Sequence, residues 1–144
     1  MGDANFWKAL NIYLNRHKFA NVESTDLRKV MEETSGHDLG WFFDQWVYGI
    51  GSPKLTVAPV WDAASKTLTL TVTQTQKVGG LNVAAYRLPM NIEFTSPSGT
   101  QSEKLEVDKR VQTFAYSLGA RPTKIEIDKE VRIPIKTVKV SPIR

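Results

Sequence analysis

The sequence predicts two unlike parts in one chain: a short all-α segment over residues 1–50, then an all-β antiparallel sandwich over residues 51–144. The fold class is α+β with its helices and strands segregated. Three observations predict it. Apolar residues recur at helical spacing as far as Val47, and from Leu55 onward they alternate with a period of two. Between the two patterns stand Gly49, Gly51 and Pro53, residues that end helices and start extended chain.

The first helix is expected from a cap at Asp3 to about Lys18, with Phe6, Ala9, Leu10, Tyr13 and Leu14 forming its apolar stripe and Asn21 stopping it. Arg16, His17 and Lys18 place positive charge where the helix dipole is negative. A second helix is expected to start at Ser24-Thr25-Asp26, to present Leu27, Val30, Met31 and Thr34, and to end at Gly36. The third follows Asp38, which can cap it. Leu39, Phe42, Phe43, Trp46 and Val47 fall on one face, and Gly49 is expected to close the helix in the left-handed conformation. Three such helices in about fifty residues have little core of their own, since below roughly 70–80 residues a lone core supplies only a few kcal/mol. The expectation is the tail of a larger helical domain; the plainer alternative packs the helices on the β part.

About seven short strands are expected next. Leu55 and Val57 open the first, and Asp62-Ala63-Ala64-Ser65 turns the chain. Leu68, Leu70 and Val72 alternate with Thr67, Thr69, Thr71 and Thr73. Gly79-Gly80 interrupts, and Tyr86-Arg87-Leu88-Pro89 reads as a strand entry with proline at an edge. Leu88, Met90, Ile92 and Phe94 continue to a turn at Ser96-Pro97-Ser98-Gly99. Leu105 and Val107 lead through a tight reversal at Asp108-Lys109 into the 111–116 strand. Ile125 and Ile127, then Val131, Ile133, Ile135, Val138 and Val140, complete the set.

Composition excludes several classes. The 144 residues hold no cysteine, so disulfide frameworks and cysteine-based catalysis or zinc binding are out. The net charge of +4 divides into −2 over residues 1–50 and +6 over 51–144. Those basic residues, among them Lys124, Lys129, Arg132, Lys136 and Lys139, are spread singly along alternating strands with no stacking platform, so nucleic acid is not an expected partner. No apolar run reaches the roughly 18 residues of a membrane span, and the opening residues show neither a signal-peptide nor a myristoylation pattern. The compartment stays open.

A search for chemistry returns negatives. There is no HExxH, GxSxG, P-loop or GxGxxG. His17 reads as a helix-end residue. His37 follows Glu33 by four residues, but Gly36 interrupts the helix and a catalytic zinc needs three protein ligands. Glu32 and Glu33 read as a solvated face. Trp41, Phe42, Phe43 and Trp46, at helical spacing, read as core rather than a ligand box, and Trp61 and Tyr86 carry no specific message. The expected catalytic, cofactor-binding and metal-ligating residues of this chain are none.

The helical part resembles a known family. Phe6-Trp7-Lys8-Ala9-Leu10 with Tyr13-Leu14-Asn15-Arg16-His17, then Asn21, Thr25-Asp26-Leu27, Met31-Glu32 and Ser35-Gly36-His37-Asp38-Leu39, is similar to a late stretch of zinc aminopeptidases of the aminopeptidase N type, peptidase family M1. Phe43-Asp44-Gln45-Trp46-Val47-Tyr48-Gly49 with Gly51-Ser52-Pro53 is the most specific piece. The resemblance covers residues 3–57 and extends more loosely into the sandwich at Tyr86-Arg87-Leu88-Pro89 and Lys124-Ile125-Glu126-Ile127-Asp128. It implies the end of a thermolysin-like catalytic domain leading into a β-sandwich domain. It also implies a parent protein that removes N-terminal residues from peptides by zinc-assisted hydrolysis. That family's HExxH, its downstream Glu and its oxyanion Tyr map onto no position here. Zinc is therefore expected in the parent and no cofactor in this chain, which alone is expected to be inactive. Peptides are expected partners through the parent, and the missing upstream catalytic domain an intramolecular one. Two alternatives stand beside this: a stand-alone protein-interaction sandwich with a helical cap, and part of a catalytically dead relative. A dye that reports exposed apolar surface separates a severed domain from an interaction module.

Overall fold

The computed structural model describes residues 1–144, with element order three α-helices, one π-helical turn and seven strands. They fall into two units, Met1–Ile50 and Gly51–Arg144.

In the first unit, α1 spans Asp3–Arg16, α2 Ser24–Ser35 and α3 Gly40–Phe43. Asp3 is the first helical residue rather than the cap; Gly2 stands at the N-cap position, and the helix ends at Arg16 instead of Lys18. The chain leaves α1 with Phe19 at φ 62, so the break precedes Asn21. α2 has a reciprocal capping box one residue earlier than the serine expected to start it: the Glu23 side chain takes the N–H of Asp26, and Asp26 Oδ2 accepts the Glu23 N–H at 3.0 Å. Gly36 ends α2 at φ 68, a left-handed conformation that favours glycine. Ala9, Val30, Met31 and Phe43 form the buried centre, with Phe6, Leu10, Ile12, Tyr13, Leu27 and Leu39 packed around it.

The third helix departs from the expected regular helix. After Phe43 the chain widens into a π-helical turn, Asp44–Tyr48, closed by the Gly49 N–H donating to the Asp44 carbonyl at 2.9 Å. An i→i+5 bond holds one extra residue in the turn, so positions beyond it rotate off the i+3/i+4 face. Phe43 and Gln45 are buried, whereas Phe42 and Val47 are exposed. Gly49 is extended, at φ −73 and ψ 151, not left-handed; the positive φ of this corner belongs to Gly51. Asp38 does supply an oxygen, accepting the Gly40 N–H at 2.7 Å.

The second unit is a sandwich. Its strands are β1 Lys54–Asp62, β2 Thr67–Gln74, β3 Leu88–Ser96, β4 Gly99–Val107, β5 Val111–Ser117, β6 Lys124–Ile127 and β7 Thr137–Val140. One sheet has the order β5-β2-β1-β7 and the other β4-β3-β6. Every pair is antiparallel except β7, which runs parallel to β1. The alternation read from sequence is the pleat itself: Leu55, Val57, Leu68, Leu70, Val72, Leu88, Ile92, Leu105 and Val107 are all buried, each contributing about 2 kcal/mol of hydrophobic burial. The Phe94 and Tyr116 rings, one from each sheet, meet with centroids 4.8 Å apart.

The sandwich sharpens one expectation and corrects others. The Asp108-Lys109 reversal carries the chain from one sheet to the other, because β4 pairs with β3 and β5 with β2. Pro89 lies on the central strand of its sheet, opposite Glu106; it is tolerated because β6 pairs only with residues 92–95. The last apolar run is mostly not strand. Asp128 and Val131 take φ 48 and 51, and the Asp128 carboxylate accepts the N–H groups of Arg132 at 3.1 Å and Ile133 at 3.0 Å, leaving only 137–140 to join a sheet.

Candidate functional site

The helical residues that invited chemistry are committed to local structure. Glu33 reaches across to α1 and pairs with Arg16 at 2.8 Å. That hydrogen bond is the main reason its carboxyl is held below the usual carboxylate range. Glu32 accepts the Leu39 N–H at 2.9 Å, fastening the chain beyond Gly36 back onto α2. The acid face stays at the solvent side, with Glu33 exposed and Glu32 partly so, and each also serves as a joint. His37 contacts the Ser35 carbonyl through Nδ1 at 2.8 Å, and the His17 ring packs on Tyr13 with centroids 5.2 Å apart. No group of three or more His, Asp or Glu side chains gathers in the structure. The aromatic run does not form a box: Phe43 enters the core while Trp41 and Phe42 meet edge to face at 5.9 Å.

In the sandwich, a cleft of about 170 Å³ opens beside the β3–β4 turn, floored by Phe94 and Leu118 and rimmed by Ser96, Ser98, Thr100 and Gln101. Ser96 and Ser98 share a hydrogen bond of 2.8 Å, and no charged group lines the cleft. The Tyr116 hydroxyl is buried with no hydrogen-bond partner. Burial pushes its ionisation up, and the negative charge of Glu103 adds to that. On the outer face of β3 and β6, Lys129 bonds Glu93 at 2.9 Å and Lys124 bonds Glu126 at 2.9 Å, so these cations are paired with neighbouring acids.

The polar cluster that sequence reasoning missed is buried. Gln74, at the end of β2, pairs with the backbone of Tyr86 as a strand residue would: its Nε2 donates to the Tyr86 carbonyl and its Oε1 accepts the Tyr86 N–H, both at 2.8 Å. Gln76 donates to Gln74 Oε1 at 3.1 Å and to the Ala84 carbonyl at 3.4 Å. Arg110 donates to the Gln76 carbonyl at 2.7 Å and the Ala84 carbonyl at 3.2 Å. The available signal was glutamine at an inward position of β2, in phase with Leu68, Leu70 and Val72.

The side chains described so far act as packing devices and joints. Comparison with known proteins supplies the lineage. Residues 51–137 match the family described as a domain of unknown function with an Ig-like fold (DUF3458), and residues 1–46 match the peptidase family M1 domain. The chain belongs to the M1 aminopeptidase family. Aminopeptidase N of Lactococcus lactis subsp. cremoris (strain MG1363) is 33% identical over 111 residues, covering 74% of this chain and 12% of that protein. Aminopeptidase N of Escherichia coli (strain K12) is 29% identical over 94 residues, covering 65% of this chain and 10% of the relative. The crystal structure of Legionella pneumophila aminopeptidase A in complex with aspartic acid matches with a TM-score of 0.72 at 19% identity, over 98% of this chain and 16% of that one. That likeness shows the fold. The chain spans roughly a tenth to a sixth of the length of these proteins. No helix is long and apolar enough to cross a membrane.

Proposed function

We propose that this chain is a non-catalytic segment of a zinc aminopeptidase whose parent hydrolyses N-terminal residues from peptides. Residues 1–50 form the rear of the catalytic domain and pack behind the active site; residues 51–144 are a sandwich domain that acts as a spacer. The observation that carries the reading is the seam: the M1 match ends at residue 46 and the Ig-like match begins at 51, on either side of the Gly49–Pro53 corner. Zinc, water activation and the oxyanion group are assigned to residues outside this chain. The intramolecular partner is then the upstream catalytic domain, and nucleic acid is no partner.

Reading the coding DNA upstream of Met1 tests this. An in-frame HExxH followed by a downstream Glu is expected; an in-frame stop overturns the reading in favour of a stand-alone interaction module. An in-frame M1 domain lacking HExxH points instead to a catalytically dead relative. The purified chain is expected to leave an aminoacyl chromogenic substrate uncleaved, and turnover by it contradicts the assignment.

A further inference from the structure

The segment between β2 and β3 belongs to no named strand, yet side chains bond part of its backbone. The carbonyls of Ala84 and Tyr86 and the N–H of Tyr86 all bond side chains of Gln74, Gln76 or Arg110. Gln74 is 0% exposed and Tyr86 1%, so the two Gln74–Tyr86 bonds are made away from water, where losing a partner leaves a buried amide or carbonyl unsatisfied. At the loop tip, Gly79 and Gly80 take positive φ, and Asn82 closes the turn by donating Nδ2 to the Gly79 carbonyl at 2.6 Å. That bond turns Asn82 Oδ1 the other way. Gly51 lies there: a Cβ built on it would meet Asn82 Oδ1 and the Tyr86 hydroxyl, each at 3.5 Å, and its own φ is +101. Lys54, three residues on, donates its N–H to Gln76 Oε1 at 3.5 Å, and its carbonyl accepts the Thr75 N–H at 2.7 Å. Gln76 thus touches the entry segment at Lys54, and Tyr86, which Gln74 holds, faces its Gly51 end.

We propose that Gln74, Gln76 and Arg110 are positioning residues that fix where the chain enters the sandwich, by holding segment 83–86 so that Tyr86 and Asn82 brace Gly51. The clamp is built from side chains because a backbone strand in this place would extend the β2 sheet instead of returning the chain to β3. The corner then begins upstream of Gly51, and Gly51-Ser52-Pro53 behaves as part of the sandwich.

Backbone ¹⁵N relaxation on the 144-residue chain tests it. Gly51 and Ser52 are expected to show order parameters near the rigid value of about 0.85. In Gln74→Leu, which removes both bonds to Tyr86 at similar volume, they are expected to fall below about 0.6 together with residues 83–86, while β1 and β2 keep their values. Loosening of 83–86 with Gly51 and Ser52 unchanged overturns the proposal. If Gln74→Leu unfolds the sandwich, Tyr86→Phe decides: it keeps the backbone pair with Gln74 and deletes the hydroxyl facing Gly51. Greater mobility at Gly51 and Ser52 with 83–86 unchanged supports the clamp, and unchanged mobility at both refutes it.

Discussion

The two units complete their cores to different degrees. In the sandwich, the inward residues of β1, β2 and β3 are covered, and Leu68, Leu70, Leu88 and Ile92 have no exposure at all. In the helical unit the buried apolar residues are Ala9, Val30, Met31 and Phe43, while Trp7 stays 67% exposed, Leu14 65% and Phe19 fully exposed. Two sheets can bury one face each against the other and finish. Three short helices with broad apolar stripes cannot, because covering one stripe leaves the neighbouring stripes open. The contrast teaches that the sandwich's stability is internal, whereas the helices carry more apolar surface than they use.

The largest test of that contrast is truncation within each core. Leu70→Ala is expected to cost about 3–4 kcal/mol and Met31→Ala about 2, read as shifts in urea midpoint from Trp61 fluorescence (with Trp7, Trp41 and Trp46 replaced by Phe) and from the helical circular dichroism signal. Equal losses at the two positions would break the comparison. Next comes Gly36→Ala. No atom lies within 4 Å of the added methyl group, so its cost is left-handed strain alone, about 1–2 kcal/mol, appearing in the helical signal. Of the opposite sign is Tyr116→Phe, which removes the one orphaned hydroxyl in the sandwich core. It is expected to stabilise the sandwich by up to about 1 kcal/mol, and a loss of stability would mean that the hydroxyl has a partner.

The smallest effect is electrostatic. Glu33 has its carboxyl lowered by the hydrogen bond from Arg16, so the link stabilises the folded unit above the ordinary carboxylate range and is lost as pH falls through the lowered value. Acid is therefore expected to weaken α1–α2 pairing, and Glu33→Gln to flatten that part of the pH profile of helical content. A wild-type acid response in Glu33→Gln would remove the pair from the account.

Much of this fold was legible. The Leu68-Leu70-Val72 alternation became β2 with its inward face intact, Gly36 ended α2, and the Gly49–Pro53 punctuation fell at the change from helix to strand. The misreadings share a cause. At Asp44–Tyr48 one added residue per turn rotated Gln45 inward and Val47 outward, and apolar spacing reads a π-turn as an ordinary helix. At Asp108-Lys109 the local turn signal was sound, but which sheet receives the next strand depends on partners more than thirty residues away. Glu32 and Glu33 keep solvent exposure as expected, but their links to Leu39 and Arg16 lie beyond the i,i+4 spacing that a sequence shows.

Periodicity and punctuation by themselves determined that this chain is helix first and sandwich second, and where it turns from one to the other. They suffice because 3.6- and 2-residue periods are set by backbone geometry and are written residue by residue. Only the tertiary structure decided which strands are neighbours, why Pro89 is tolerated on a central strand, and how Gln74, Gln76 and Arg110 serve a segment with no strand of its own. A period assigns a side chain to a face, but a buried amide's partners are chosen by what the fold brings within 3 Å of it.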